Sequence, residues 1–187
     1  IAIESDDWGS LRVRNYQELK SLIEEISGVF DLDAKRYNQN DTLESVTDIE
    51  NLMSILERYK TEKNPNGILF NFIALTHNPD FQQIAENDFK SYYRECIDST
   101  YKRYQRGNVI DAINSGITRD LIHVEFHGTE HINFPLWMRD LQNKSSSAMK
   151  AFDIEFWGFV NMNHPFNIDY QSAYELDLKQ DIELFQK

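Results

Sequence analysis

The sequence predicts an α/β fold with a parallel sheet. Short apolar runs that are typical of strands alternate with longer segments in which apolar residues recur at helical spacing. This alternation is typical of parallel strands joined by helices. The strands are predicted over residues 1–5, 68–75 and 121–128, and the first two are expected to be buried. Because chemistry in such folds gathers at the carboxyl ends of the strands, the polar residues after each strand are the first site candidates.

The helices are predicted from apolar periodicity and from residues that start or stop a helix. Residues 15–27 carry Leu and Ile at helical spacing and are followed by Gly28. Residues 45–60 carry a capping-box pattern near their start, in which Thr47 is the cap and Glu50 follows three positions later. Further helices are predicted over residues 88–106, 108–116, 134–150 and 169–186, and residues 154–160 are either a strand or a buried helical turn.

Composition limits the class of protein. The chain has 187 residues and is 41% hydrophobic, enough to bury a core, so we expect one domain over residues 1–187. Its formal net charge of −12 repels nucleic-acid phosphates and anionic lipid headgroups. We therefore expect neither nucleic acid nor a membrane as a partner, whereas a neutral sugar is not repelled.

The single cysteine, Cys96, excludes an intramolecular disulfide and fits a reducing compartment or a protein that needs no disulfide for stability. No signal peptide is recognisable, so the predicted location is the cytoplasm. The sequence begins with Ile1 inside an expected strand, and we expect a further N-terminal piece to precede it.

The first informative motif is Glu-Ser-Asp-Asp-Trp-Gly-Ser, residues 4–10. A solvated turn or a helix cap would explain Asp6 and Asp7, and so would a metal or acid–base site. Successive side chains of a strand point to opposite sides, so two adjacent aspartates share a site only if the alternation is broken. We expect the turn that follows, residues 8–10, to break it, so that one aspartate binds a metal and the other faces the attacking water.

The second motif is His-Val-Glu-Phe-His-Gly-Thr-Glu-His, residues 123–131. If His127 ends the strand and His131 begins the turn, both imidazoles converge on one point. Imidazole is a common ligand of zinc, iron, cobalt and nickel, and Asp6 or Asp7 would add an anionic ligand. Three protein ligands leave positions for water and substrate, as catalytic rather than structural metal sites do.

These motifs resemble those of the metal-dependent polysaccharide deacetylases, carbohydrate esterase family four. The family's first motif is a strand that ends in Asp-Asp-Gly, and residues 6–9 have this form with a tryptophan inserted. Its second motif is His-Ser/Thr-x-x-His, and residues 127–131 keep this spacing with glycine in the second position. The longer strings ESDDWGS and FHGTEHINFPLWMRDL, and NPDF at residues 78–81, are similar to an uncharacterised bacterial branch of deacetylase-like proteins.

The resemblance implies a distorted (β/α) barrel that removes an N- or O-acetyl group from an acetylated carbohydrate. Asp6 would be the catalytic base. Asp7, His127 and His131 would hold one divalent metal ion, with zinc as the first choice and cobalt, nickel, manganese or iron as alternatives.

The chain also departs from the family pattern. The wide separation of the two motifs implies an insertion between the early strands, within about residues 29–110. The later family motifs, among them the Leu-x-His that supplies the general acid, have no confident counterpart here. We therefore expect the chain to be an N-terminal portion of a longer barrel.

Four other residues are weaker site candidates. Trp8 is expected to stack on a sugar ring. Asn78, which precedes a proline, is either a turn residue or a substrate contact. Metal-bound histidines usually donate the N–H of their non-ligating ring nitrogen to an oxygen, and Glu130 or Glu125 would accept it.

Two rival functions fit the same residues. One is a catalytically inactive glycan-binding domain of the same fold, which the missing acid motif favours. The other is a different metalloenzyme with two histidines and one carboxylate, such as a non-haem Fe(II) oxygenase that requires O₂ and a 2-oxoacid.

Overall fold

The computed structural model describes residues 1–25, 38, 40, 42–159 and 170–171. Helices and strands alternate along most of the chain, which confirms the α/β class. Among the described residues, no helix has the length and apolarity that a membrane span needs. The elements in chain order are β1 (Ala2–Trp8), α1 (Tyr16–Glu25), α2 (Val46–Glu57), β2 (Leu69–Leu75), β3 (His77–Pro79), α3 (Phe81–Glu86), β4 (Arg94–Cys96), α4 (Ile97–Arg103), α5 (Val109–Thr118), β5 (Ile122–Gly128), α6 (Phe134–Gln142) and α7 (Ser146–Asp153).

The three strands predicted from sequence form one parallel sheet in the order β1-β2-β5. The central strand is β2, where Phe72 pairs with Ser5 on one side and Val124 on the other. The three described strands form an open sheet and not a closed barrel, because the outer strands of a barrel must meet each other. The carboxyl ends of all three strands lie at one edge, where the predicted site residues follow.

Burial differs between the strands. Residues 2–5 lie in a strand as predicted, but the expectation that this strand is buried is wrong, because Ile1 is 89% and Ile3 is 42% exposed. On β5, Phe126 is 70% exposed. The physical reason is position, because β1 and β5 are the outer strands of this sheet. The side chain of Phe72, on the central strand, is fully buried.

The cap of α2 lies two residues before the predicted one. The Asp48 backbone N–H donates to the Ser45 hydroxyl at 3.4 Å, and the Ser45 N–H donates to the Asp48 carboxylate at 2.8 Å. This reciprocal pair is a capping box, so the prediction of Thr47 and Glu50 in those roles is wrong.

Two long predicted helices are interrupted. Residues 88–106 contain the strand β4 before the helix α4, because β4 pairs with β3 and this pairing outweighs local helix propensity. Residues 134–150 form α6 and α7, separated by a turn in which Lys144 has a φ of 53°.

Other helix boundaries also differ from the predictions. Helix α5 continues past Gly116 to Thr118. Residues 156–159 adopt neither of the two predicted structures. The helix predicted over residues 169–186 lies outside the described residues, apart from 170 and 171.

The chain divides into two compact units. The first contains Ile1–Leu11, Leu43–Asn78 and Arg94–Glu130, and it includes the parallel sheet. The second contains Arg12–Thr42, Pro79–Tyr93 and His131–Lys187. The core of the second is aromatic: Trp137 is fully buried and lies edge-on to Phe81, with 5.8 Å between ring centroids.

Candidate metal centre

A β-bulge in β1 resolves the problem of the two adjacent aspartates. Ser5 pairs with Phe72 and Trp8 pairs with Ala74, so Asp6 and Asp7 together stand opposite the single residue between those partners. An extra residue of this kind interrupts strand alternation and re-aims side chains, and bulges are frequent beside active sites. The alternation is thus broken at the aspartates themselves, one step before the predicted turn.

The turn after the bulge has two left-handed residues. Asp7 has a φ of 60° and Gly9 a φ of 85°. The Ser10 N–H donates to the Asp7 carbonyl at 3.1 Å and closes a turn with Gly9 in third position. Type II turns require positive φ at that position, which favours glycine. Positive φ at Asp7 is strained for a non-glycine residue, although aspartate tolerates it better than most.

A second register shift lies at His127. Ala74 pairs with Phe126, and the next residue, Leu75, pairs with Gly128, so His127 is the extra residue on β5. Both motifs therefore place a candidate ligand at an irregularity near the carboxyl end of a parallel strand.

Asp7, His127 and His131 form a three-residue cluster. Each offers one ligand atom, and these atoms all lie within 4.8 Å of one another. The distance from His127 Nε2 to Asp7 Oδ1 is 3.3 Å. The two side chains are 32% and 22% exposed, and the Asp7 Oδ1 atom itself is buried.

The donor set and its spacing fit a divalent metal. Bonds of about 2.0–2.1 Å in tetrahedral geometry place two ligand atoms about 3.3 Å apart, which matches the nitrogen–oxygen distance of this pair. Two imidazoles and one carboxylate suit zinc or another first-row metal. Without a metal, the same contact is an ion pair when His127 is protonated.

Asp6 is exposed and lies outside the cluster. From the residues alone, either aspartate could have been the ligand. The bulge separates them: Asp7 converges with the histidines, and Asp6 remains accessible to solvent.

The loop between the two histidines is held by backbone and side-chain bonds. The carbonyl of Thr129 accepts hydrogen bonds from the N–H groups of Thr76, at 3.2 Å, and His77, at 2.8 Å. Arg94 Nε donates to both carboxylate oxygens of Glu130, at 2.9 and 2.8 Å. Glu130 thus anchors the loop to β4, and its predicted hydrogen bond to a ligand histidine stays a prediction.

Glu125 and Trp8, two of the weaker candidates, have contacts of their own. Glu125 accepts a hydrogen bond from Asn71 at 2.9 Å and lies 3.6 Å from His123. The indole of Trp8 stacks on Phe72, with 3.9 Å between centroids and 6° between planes. One face of this ring therefore packs on the sheet, and stacking on a sugar stays a prediction.

Asn78 is 2% exposed and bonds to the first motif. Its Oδ1 accepts from the Leu11 N–H at 2.7 Å, and its Nδ2 donates to the Gly9 carbonyl at 2.9 Å. These contacts favour the turn-residue interpretation over the substrate contact.

The sequence reasoning missed Glu44, a buried carboxyl group beside the motif. Its Oε2 accepts from the Gly9 N–H at 3.3 Å, and its Oε1 accepts from the Tyr101 hydroxyl. Burial raises the pKa of Glu44, against the lowering effect of these hydrogen bonds. Burial and the neighbouring Glu44 raise the pKa of Tyr101 well above its ordinary value. Glu44 lies in a polar, irregular part of the sequence that carries no signal of this role.

Comparison of the chain with models of protein families, with curated proteins and with solved structures found no match. The two motifs and the geometry of the cluster are therefore the features of this chain that point to a function.

We expect Gly9→Ala to lower the free energy of unfolding by about 2 kcal/mol or more. A left-handed residue other than glycine costs about 1–2 kcal/mol. In addition, a Cβ on Gly9 would lie 2.9 Å from the Leu75 carbonyl oxygen. Urea unfolding followed by circular dichroism measures the change. Gly128→Ala is the matched control, because its Cβ would meet only a Leu75 methyl at 3.7 Å, and equal stability losses would contradict the prediction.

Proposed function

We propose that this protein is a metal-dependent hydrolase that removes an acetyl group from a sugar or polysaccharide. The observation that supports this best is the convergence of Asp7, His127 and His131, which come from two motifs far apart in sequence. The parallel α/β sheet is compatible with the distorted (β/α) barrel that the motif resemblance implies.

Asp7, His127 and His131 would hold one divalent ion, zinc first, with cobalt, nickel, manganese and iron as alternatives. When bound, such an ion polarises the acetyl carbonyl and lowers the pKa of the attacking water. Each histidine would donate the N–H of its non-ligating ring nitrogen to an oxygen acceptor, which fixes the ring in its ligating orientation.

Asp6 would act as the general base. It is exposed and outside the ligand cluster, so its carboxylate is available to take a proton from the attacking water. The oxygen of that water forms the new bond to the acetyl carbon. The bond from this carbon to the sugar nitrogen or oxygen breaks, acetate leaves, and the amine or hydroxyl of the sugar gains a proton.

The overall charge of the chain is compatible with a neutral, polar substrate. The net charge of −12 does not oppose an acetylated sugar, whereas it opposes polyanions. The one cysteine, Cys96, is exposed and free, and on that ground we place the protein in a reducing compartment such as the cytoplasm.

The proposal is tested by acetate release from a panel of N- and O-acetylated sugars. The protein is first stripped with a chelator and then assayed with and without zinc, cobalt, nickel, manganese or Fe(II). We expect release that requires added metal and stops on renewed chelation. Glycan binding with stoichiometric metal but no acetate would favour the inactive binding domain. Turnover that requires both O₂ and Fe(II) would favour an oxygenase.

A further inference from the structure

We infer that Asn78 and Glu44 are positioning residues that set the direction in which Asp7 presents its carboxylate to a metal. The inference rests on the proposed function, because it assigns these two residues to the metal centre proposed above. Neither is a ligand, and both act through the backbone of the turn at residues 7–11.

The two side chains form hydrogen bonds with both backbone polar groups of Gly9, its N–H and its carbonyl. Asn78 Nδ2 donates to the Gly9 carbonyl at 2.9 Å, and Glu44 Oε2 accepts from the Gly9 N–H at 3.3 Å. In addition, Asn78 Oδ1 accepts from the Leu11 N–H at 2.7 Å. We call this set of three hydrogen bonds, made by Asn78 and Glu44 to Gly9 and Leu11, the clamp. The clamp thus fixes the turn immediately after Asp7.

The two side chains of the clamp are buried, and each has a further hydrogen-bond partner. Asn78 is 2% exposed and its Nδ2 also lies 3.4 Å from Thr100 Oγ1. Glu44 is 9% exposed and accepts a hydrogen bond from the Tyr101 hydroxyl. Burial strengthens these hydrogen bonds and makes their loss costly, because water cannot replace the missing partner. Thr100 and Tyr101 both belong to α4, so one helix supports both arms of the clamp.

Asp7 needs such support because its conformation is not the default one. It has a φ of 60° and stands in a bulge, both of which cost free energy relative to a regular strand. In a regular strand its side chain would alternate with that of Asp6. If the clamp is loosened, we expect the bulge to relax and the Asp7 carboxylate to leave the 3.3 Å contact with His127 Nε2.

Cobalt binding provides the test, because the visible absorption of bound Co²⁺ reports ligand geometry and a purely structural role would not change it. The variants are Asn78→Ala, Asn78→Asp and Glu44→Gln. Asn78→Asp keeps the acceptor for Leu11 but loses the donor to Gly9. Glu44→Gln keeps the shape of the side chain, but its amide N–H₂ would face either the Gly9 N–H or the Tyr101 hydroxyl, both of which donate to Glu44.

Asn71→Ala is the matched control. Asn71 is also a buried asparagine, 5% exposed, and it bonds to Glu125 at 2.9 Å and His123 at 3.0 Å, not to the turn at residues 7–11. All variants are titrated with Co²⁺ at a temperature at which circular dichroism shows them folded.

We expect the Asn78 and Glu44 variants to bind Co²⁺ about 10–100-fold more weakly than wild type, with an altered visible spectrum. Asn71→Ala should keep the wild-type affinity and spectrum. If the Asn78 variants do not fold, Glu44→Gln alone decides the question by the same two readouts.

The failures are distinguishable. Absence of Co²⁺ binding by the wild type would overturn the proposed function together with this inference. Wild-type binding that the Asn78 and Glu44 variants retain, with the same affinity and spectrum, would overturn only the positioning role. An equal loss in Asn71→Ala would also overturn it, because the effect would then be general destabilisation.

Discussion

Replacing His127 with alanine is expected to lower the affinity for zinc or cobalt by at least about 100-fold. Loss of the outer partners of metal ligands already costs about 10–100-fold, and loss of a direct ligand costs more. The imidazole of His127 is the one whose Nε2 lies 3.3 Å from the Asp7 carboxylate. Elemental analysis after gel filtration and titration calorimetry would measure the loss.

His123→Ala is the control for this prediction. His123 lies on the same strand, four residues earlier, with a side chain that is 56% exposed, and it is not part of the cluster. It should bind metal as the wild type does. Equal binding by wild type and His127→Ala would show that His127 is not a ligand.

Asp7→Asn is expected to abolish metal binding with little loss of stability. Asparagine tolerates the left-handed conformation at this position but lacks the negative charge of the ligand. Asp7→Ala should lose metal binding and, in addition, about 1 kcal/mol of folding free energy, because alanine has no polar group that supports a positive φ. Metal titration and urea unfolding of the two variants side by side separate ligation from backbone strain.

A large effect on the rate is expected for Asp6→Asn. If Asp6 takes the proton from the attacking water, kcat/KM for acetate release should fall about 10²–10⁴-fold, the usual contribution of a general base. Metal affinity should not change, because Asp6 lies outside the ligand cluster. Steady-state kinetics on the metal-loaded protein and a parallel metal titration measure the two quantities.

Glu4→Gln is the control for Asp6→Asn, since Glu4 is another exposed carboxylate on β1. It should leave both the rate and the metal affinity unchanged. A full rate in Asp6→Asn would show that Asp6 is not the base. A loss of metal in this variant would instead make Asp6 a ligand.

The sequence alone predicted the features that depend on local pattern. The strand β2 is an apolar run rich in aromatic residues, β1 follows the short apolar start of residues 1–3, and each of the three parallel strands forms within a few residues of its predicted bounds. The alternation of strands and helices predicted a parallel sheet, so residues at the three strand ends were expected to meet at one edge. The two motifs identified His127, His131 and one of two adjacent aspartates before any geometry was known, because these side chains are of types that bind metal, and the family resemblance selected Asp7.

The tertiary structure decided the features that depend on distant partners. The bulges at Asp7 and His127 exist only relative to the register of β2, which the sequence of either strand does not contain. The strand β4 lies inside a segment of helical pattern because it pairs with β3. The clamp on Gly9 comes from Glu44 and Asn78, which are 35 and 69 positions away along the chain. Hydrogen bonds over such separations follow from the packing of whole elements, and no local pattern of residues encodes them.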